Sequence, residues 1–90
     1  MEETVSTEVI LHFKHCCEIV KTLKSVSDDD LAILYANYKQ ALNGDNTTEA
    51  PFFLNFVAAR KWNAWTEVKG KSQEQAMVDY IMKVEQLFNV

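Results

Sequence analysis

The sequence predicts an all-α fold, and three observations support that class. Apolar residues make up 48% of the 90-residue chain and aromatic residues 11%, more than disordered segments carry. Only two Gly and one Pro occur, so the tight turns of a small β-sandwich or barrel have no residues to form them. Apolar residues recur at three- and four-residue steps along four segments, as in amphipathic helices. A chain of this size holds one hydrophobic core, so we expect a single domain over residues 1–90.

Residues 9–23 form the first predicted helix, since their apolar positions share one helical face. These positions are Val9, Ile10, Phe13, Cys16, Cys17, Val20 and Leu23. Ser27 then provides an N-cap, and the carboxylates of residues 28–30 lie beside the positive end of the next helix dipole. The second helix therefore begins there and ends at Asn43-Gly44, because glycine adopts the left-handed conformation that terminates helices. Its stripe consists of Leu31, Leu34, Tyr35, Tyr38 and Leu42.

Residues 44–52 are polar and rich in turn formers, and their apolar positions fit neither the helical nor the strand period. They therefore predict a long connecting loop. Helical spacing resumes near Leu54 and continues to Gly70, which again indicates a helix end. Ser72 opens a capping box with Gln75 and starts the fourth helix. Its apolar stripe consists of Met77, Tyr80, Ile81, Val84, Leu87 and Phe88.

The charge balance argues against a general nucleic-acid binder. Nine Lys and Arg against thirteen Asp and Glu give a formal charge of -4, opposite in sign to the footprint of such proteins. An anionic ligand therefore needs a local basic patch. No apolar run is long enough to span a bilayer, and no signal-peptide core follows the acidic start Met1-Glu2-Glu3. The adjacent Cys16 and Cys17 are poor disulfide partners and fit a reducing compartment, so we expect a cytoplasmic protein.

The histidines and cysteines do not predict a metal centre. His12 and Cys16 are four residues apart and could face a common metal, but structural zinc usually takes four protein ligands. Only His15 and Cys17 remain in the sequence, so exposed histidines and packed thiols are the favoured interpretation. The same shortage argues against a cysteine or serine nucleophile. We expect no metal, no cofactor and no enzymatic activity.

A group of aromatic and basic residues lies on the second and third helices. Tyr35, Tyr38 and Lys39 are on neighbouring ridges, three and four residues apart. Arg60-Lys61 directly precedes a tryptophan pair, and residues 39–71 contain more basic than acidic side chains. This combination suits a ligand with a stackable ring and phosphates. Aromatic residues at helical spacing also occur in ordinary cores, so the pattern alone leaves both interpretations open.

Longer motifs surround these residues. The second helix contains Tyr35-Ala36-Asn37-Tyr38-Lys39-Gln40-Ala41, followed by Gly44-Asp45, Thr48-Glu49 and Pro51. The third helix contains Lys61-Trp62-Asn63-Ala64-Trp65, and Glu67-Val68-Lys69-Gly70 follows. In these motifs the sequence resembles the acyl-CoA-binding protein family, over roughly residues 13–88. Agreement in order and spacing over that length is more specific than any one short motif.

The resemblance implies a four-helix up-down-down-up bundle with a long loop between helices 2 and 3. It further implies a non-enzymatic carrier that binds long-chain fatty acyl-CoA esters, one per protein, and buffers the intracellular acyl-CoA pool. Such a carrier is a monomer, serves acyl-CoA-using enzymes and contacts membranes at most transiently. A helical protein-interaction module of the same fold, with weak or lost ligand binding, is the alternative.

The resemblance also implies site residues. Tyr35, Tyr38 and Lys39 match the positions that hold the adenine and the 3'-phosphate, and Lys61 matches a second phosphate-binding lysine. Tyr80 matches a tyrosine that lines the ligand site. Two further residues match family positions. Lys21 matches a lysine of the first helix near the nucleotide, and Leu31 matches a position beside the ligand. The full predicted set is Lys21, Leu31, Tyr35, Ala36, Asn37, Tyr38, Lys39, Arg60, Lys61 and Tyr80.

Several positions depart from the family pattern. Ala50 replaces a common arginine, and Val57 and Ala59 stand where lysines are frequent. Phe52-Phe53 follows the loop proline in place of a glycine and one hydrophobe. With fewer basic groups, we expect weaker phosphate recognition and a larger share of the affinity from the acyl chain. Retention of the lysines beside the tyrosines nevertheless favours the carrier over the interaction module.

Overall fold

A computed structural model describes residues 5–88, which fold into four α-helices. The helices are α1 (Thr7–Val20), α2 (Asp28–Asn43), α3 (Phe56–Glu67) and α4 (Gln73–Phe88). The described residues contain no strand, so the all-α class is confirmed. The acidic start Met1-Glu2-Glu3 and both ends of the predicted domain lie outside the described residues.

Side-chain caps define where the later helices begin. Ser27 Oγ accepts a hydrogen bond from the Asp30 backbone N–H at 3.1 Å, as the sequence predicts. Ser72 Oγ accepts from the Gln75 N–H at 3.0 Å and caps α4 in the same way. Gly44 ends α2 with a φ of 76°, a conformation that favours glycine. These signals are local, so the sequence predicts them well.

α1 ends at Val20, earlier than predicted. The backbone N–H groups of Lys21, Thr22 and Leu23 each donate to the carbonyl three residues earlier, at 3.2, 2.9 and 3.1 Å. The Thr22 hydroxyl also donates to the Ile19 carbonyl at 2.7 Å, in competition with helical bonding. Apolar spacing alone cannot distinguish this tightened turn from a continuing helix.

α3 begins later than the spacing from Leu54 predicts. The Asn55 backbone N–H donates to the Phe52 carbonyl at 2.9 Å and closes a turn. Asn55 Oδ1 then accepts from the Ala58 N–H at 3.2 Å, which makes Asn55 the N-cap. The helix therefore starts at Phe56, and the loop extends to Asn55.

α1 and α4 run in the same direction. The Ser6 backbone N–H, just ahead of α1, donates to Glu74 Oε1 at the start of α4 at 3.1 Å. Further along both helices, the Phe13 and Tyr80 rings meet edge to face with their centroids 5.1 Å apart. Contacts that advance together along two helices require parallel axes.

α2 and α3 also run in the same direction as each other. Asp29 at the start of α2 pairs with Arg60 in the first half of α3. At the other end, the Gly44 carbonyl accepts from Trp65 Nε1 at 2.9 Å. Because neighbouring parallel helices cannot be joined by a tight turn, this arrangement requires the long connection between them.

α4 is antiparallel to α2. Lys83 Nζ near the end of α4 lies 2.6 Å from Asp30 Oδ1 at the start of α2, and Gln73 Nε2 donates to the Ala41 carbonyl at 3.1 Å. α4 therefore lies between α1 and α2, and α3 flanks α2 on its other side. The predicted up-down-down-up bundle is confirmed.

The main core forms among α1, α2 and α4. Its buried members are Phe13, Cys16, Leu34, Ala41, Ala76, Met77, Tyr80, Ile81 and Val84. α3 contributes none of them, and its one buried residue is Trp65. α3 is thus held through its contact with α2 and through the loop that precedes it.

Polar contacts hold the start of the loop in place. Asp45 Oδ1 accepts from Gln40 Nε2 and from the Gly70 backbone N–H, each at 2.8 Å. Gln40, itself buried, also donates to the Lys71 carbonyl at 2.8 Å. Further along, Trp62 Nε1 donates to the Thr48 carbonyl at 3.2 Å. The loop is therefore tied to α2, to α3 and to the α3–α4 turn.

The core assignment predicts that truncating two neighbouring side chains on α4 lowers the free energy of unfolding by different amounts. Ile81 is buried and Met82 is exposed, so Ile81→Ala should lower the free energy of unfolding by about 2–5 kcal/mol. Met82→Ala, the matched control, should lower it by less than about 1 kcal/mol. Urea unfolding followed by circular dichroism measures both, and equal costs would contradict the assignment.

Asp45 predicts a pH-dependent contribution to stability. The hydrogen bonds from Gly70 and Gln40 lower the pKa of Asp45 from its ordinary 3.8. A lowered folded-state pKa stabilises the fold above the unfolded-state value, and this stabilisation is lost as pH falls through the folded-state value. The difference in unfolding free energy between wild type and Asp45→Asn should therefore shrink as the pH falls below 3.8.

Glu49→Gln is the control for that comparison. It removes a carboxylate from the same loop, but no described residue donates a hydrogen bond to the Glu49 side chain. We expect its urea midpoint at neutral pH to match wild type. If the difference in unfolding free energy between wild type and Asp45→Asn stays constant as the pH is lowered, the role given to Asp45 is wrong.

Candidate ligand-binding site

One face of α2 carries the aromatic residues that the sequence singled out. Leu31, Tyr35, Tyr38 and Leu42 recur at four- and three-residue steps and so share a helix face. Leu31, Tyr38 and Leu42 are exposed although they are large and apolar. Because α3 runs parallel to α2, it brings Lys61 beside this face. Lys61 Nζ lies 5.3 Å from the centroid of the Tyr35 ring, within the range of a cation–π contact.

A cavity of about 630 Å³ opens beside this face, between α1, α2 and α4. We call it the α1 cavity; its lining is Phe13, Lys14, His15, Cys17, Glu18, Lys21, Tyr38, Leu42 and Tyr80. The Tyr38 and Tyr80 rings lie 6.3 Å apart, and Phe13 lies 6.2 Å from Tyr38. Lys21 is at the rim, exposed and 3.2 Å from Glu18. The cavity thus combines aromatic walls with cationic edges.

The Tyr80 hydroxyl and the Cys17 thiol in the wall of the α1 cavity remain protonated at neutral pH. Burial raises the pKa of Tyr80, and a hydrogen bond shared with Cys17 acts in the same direction. Burial also raises the pKa of the Cys17 thiol, although that hydrogen bond opposes the rise. Burial also raises the pKa of Cys16, which lies in the main core and does not line the cavity. A thiol is a weak nucleophile until it ionises, so this wall is suited to contact a ligand and not to attack one.

A second cavity, of about 320 Å³, lies between α2 and α3. We call it the α2–α3 cavity; its lining is Asp28, Leu31, Ala32, Phe56, Val57, Arg60 and Lys61. Its walls are mostly apolar. Lys61 lines this cavity and also covers the Tyr35 ring, so it lies at the boundary between the apolar slot and the aromatic face.

The predicted basic residues differ in their partners. Lys39 Nζ lies 4.9 Å over the Trp65 ring, and within residues 5–88 neither Lys39 nor Lys61 forms an ion pair. The Arg60 guanidinium donates to Asp29, which balances its charge. Lys39 and Lys61 are therefore the cations most available to an anionic ligand.

Two predicted residues line a third cavity. Ala36 and Asn37 are buried and face a cavity of about 540 Å³, which also lies between α2 and α3 and shares Ala32 and Arg60 with the α2–α3 cavity. Asn37 Nδ2 donates to the Ile33 carbonyl at 3.1 Å, and its Oδ1 accepts from Lys71 Nζ at 2.7 Å. Their place inside the motif suggested a ligand role, but the helix turns them away from Tyr35 and Tyr38. Their role at the ligand stays a prediction.

Comparison with known proteins identifies the family. The sequence model of the family described as "Acyl CoA binding protein" matches residues 11–84. The chain belongs to the acyl-CoA-binding protein family. It is 51% identical over 77 residues to an acyl-CoA-binding protein of Gossypium hirsutum, and the alignment covers 84% of this chain and 86% of that relative.

Solved acyl-CoA-binding proteins share the fold. Acyl-CoA-Binding Protein 2 of Oryza sativa superposes with a TM-score of 0.86 at 44% identity, covering 90% of this chain and 91% of its own. The protein of this family from Moniliophthora perniciosa superposes with a TM-score of 0.85 at 27% identity, covering 96% and 84%. The family and the fold predicted from the sequence are both confirmed.

Several residues that line the two cavities were not predicted as site residues from the sequence. Phe56 and Val57 line the α2–α3 cavity, and each lies four residues ahead of a predicted site residue, Arg60 and Lys61. That spacing on one helix was the signal that could have found them. Phe13 was assigned to the core, and the structure shows that it also lines the α1 cavity.

The remaining candidate sites are simpler. His12 and His15 are exposed, Cys16 is buried and both cysteines are free, as the sequence predicts. The described residues contain no group of three or more His, Cys, Asp or Glu that could hold a metal ion. Within the same residues, none of the helices is both long and apolar enough to cross a membrane.

Proposed function

We propose that the protein binds long-chain fatty acyl-CoA esters, one per molecule, and carries them as a monomeric, non-enzymatic buffer of the cytoplasmic acyl-CoA pool. In this role it supplies acyl-CoA-using enzymes. The position of Lys61 carries the proposal. Its ammonium covers the Tyr35 ring and lines the apolar α2–α3 cavity, so a cation, an aromatic face and an apolar slot meet at one residue.

The head group fits the α1 cavity and its rim. A volume of about 630 Å³ is within the range of sites that hold ligands of moderate size. The exposed Tyr38 ring offers a face on which an adenine can stack, and the buried Tyr80 ring lies 6.3 Å from it. Lys21, Lys39 and Lys61 can donate charge-assisted hydrogen bonds to phosphate oxygens.

The acyl chain fits the α2–α3 cavity, because Leu31, Ala32 and Val57 provide apolar walls. Burying about ten methylenes at ~0.8 kcal/mol each contributes on the order of 8 kcal/mol before ordering costs. Each phosphate contact adds about 1.5–3 kcal/mol, and less where solvent reaches it. The chain therefore dominates the affinity, and the head group provides the specificity.

Isothermal titration calorimetry tests this division of roles. We expect affinity to rise with acyl-chain length across a series of acyl-CoA esters, with one ligand bound per protein. Free CoA has no acyl chain to bury and should bind more weakly than the long-chain esters. Free fatty acid lacks the phosphates and should also bind more weakly than the long esters. Absence of heat and of thermal stabilisation with every long-chain ester would exclude the carrier function and favour the interaction module.

Single lysine substitutions test the phosphate assignment. Lys39→Ala and Lys61→Ala should each weaken binding of a long-chain ester by about tenfold, since a lost contact of ~1.5 kcal/mol corresponds to that ratio. Each variant should also reduce the salt dependence of binding. Lys24→Ala is the matched control, because Lys24 is exposed and lines neither cavity. Unchanged affinity in both site variants would exclude these lysines as phosphate ligands, whatever the function.

A further inference from the structure

The chain has two histidines, His12 and His15, and they face different surroundings. Both are exposed, and they lie three residues apart on α1. His15 lines the α1 cavity. His12 instead lines a separate cavity between α1 and α4, together with Glu8 and Glu85. About one turn of helix thus separates two exposed histidines, of which His15 alone faces the cavity proposed for the head group.

The imidazole of His15 is available to a ligand. Among residues 5–88, neither of its nitrogens has a hydrogen-bond or ion-pair partner. Glu18 is the acidic residue in the described wall of the α1 cavity, and its carboxylate pairs with Lys21 at 3.2 Å. A protonated His15 therefore meets no unpaired carboxylate in the described wall, and an anion bound in the cavity can fill that place.

Three cationic or potentially cationic side chains lie in a row on this wall. Lys14, His15 and Lys21 all line the α1 cavity, and they span two turns of α1, or about 10 Å along the helix axis. Separated cationic groups suit a ligand that carries more than one phosphate group. Each can donate charge-assisted hydrogen bonds to phosphate oxygens.

The charge of this wall depends on pH through His15. Carboxylates, ammonium groups and phenols do not ordinarily titrate between about pH 6 and pH 8. The other titratable groups that face the cavity are Lys14, Cys17, Glu18 and Lys21 from α1, Tyr38 from α2 and Tyr80 from α4. Burial raises the pKa of Cys17 and of Tyr80, so both stay neutral in this range. Histidine is the side chain that ordinarily changes charge there.

Protonation of His15 changes the local charge substantially. The wall has two lysines against one glutamate, so its formal charge is +1 with His15 neutral and +2 with His15 protonated. The whole chain carries -4 and as a whole repels an anion. Salt limits the influence of distant charges to about 8 Å, so the charges of the wall act on a bound phosphate more than the acidic residues elsewhere do.

We propose that His15 is a pH-dependent contact for a phosphate of the CoA head group, so that the protein binds acyl-CoA more tightly as the pH falls from about 8 to about 6. This inference rests on the proposed function, because it concerns the same ligand in the same cavity. Protonated imidazole has two N–H donors and a positive charge, whereas neutral imidazole has one donor and no charge. The carrier therefore retains its cargo in mildly acidic surroundings and releases it more readily at alkaline pH.

Calorimetric titration with hexadecanoyl-CoA at pH 6 and pH 8 tests the contact. Between pH 8 and pH 6, the affinity of wild type should rise about two- to fourfold relative to that of His15→Gln, as expected for one exposed charged contact. The comparison between proteins cancels the titration of the ligand's own phosphomonoester, whose second ionisation lies near pH ~6. His15→Lys keeps its charge at both pH values, so it should bind at pH 8 at least as tightly as wild type.

His12→Gln is the matched control. It removes the other exposed histidine from the same helix and leaves the wall of the α1 cavity unchanged, so its pH dependence should equal that of wild type. Titration at pH 7 in two buffers of different ionisation enthalpy gives a second measurement. Wild type should take up a fraction of a proton on binding that His15→Gln does not. A purely structural role of His15 would not change this proton uptake.

The outcomes separate the contact from the proposed function. If wild type binds acyl-CoA and His15→Gln keeps the full pH dependence and proton uptake, the function stands and the His15 contact is wrong. The contact is also wrong if His12→Gln loses as much of the pH dependence as His15→Gln does. If none of the proteins binds acyl-CoA at either pH, the proposed function and the contact both fail.

Discussion

The carboxylate of Asp45 is the contact on which the rest of this arrangement depends. It joins the end of α2, through Gln40, to the turn between α3 and α4, through the Gly70 backbone. Parallel α2 and α3 require the chain to travel back along a helix of 16 residues, about 24 Å. A loop of that reach has a high conformational entropy unless contacts fix it. Asp45 fixes its start, and the hydrogen bond from Trp62 to the Thr48 carbonyl holds its middle.

The parallel pairing in turn determines which side chains meet. Tyr35 and Lys61 are far apart in sequence, and only the co-directional packing of α2 and α3 places one over the other. Acidic residues elsewhere form ion pairs with other basic side chains: Asp29 pairs with Arg60, and Asp79 pairs with Lys71. A chain with a net negative charge thereby leaves Lys39 and Lys61 without ion-pair partners among the described residues. The local basic character arises from this distribution of pairs as much as from composition.

Sequence reasoning succeeded where the determinants are local. The caps at Ser27 and Ser72 and the stop at Gly44 depend on a few neighbouring residues, and the structure has all three. It failed where the result depends on contacts between distant segments. The pairing of Arg60 with Asp29 could not be inferred from spacing. Motif position groups Ala36 and Asn37 with Tyr35, and the helical rotation between consecutive residues directs these two into the cavity that they share with Arg60.

The late start of α3 has a local cause that hydrophobic periodicity does not detect. Periodicity from Leu54 predicts a helix, but the turn at Phe52 and the cap at Asn55 override it. This displacement turns part of an expected helix into the loop end that carries the exposed Phe52 and Phe53. α3 adds no residue to the main core and, within the described residues, packs against no other helix than α2. The main core thus depends on α1, α2 and α4, and α3 stands outside it. Substitutions on the exposed surface of α3 should therefore cost little free energy of folding, so this helix can tolerate more sequence change than the three helices that form the core.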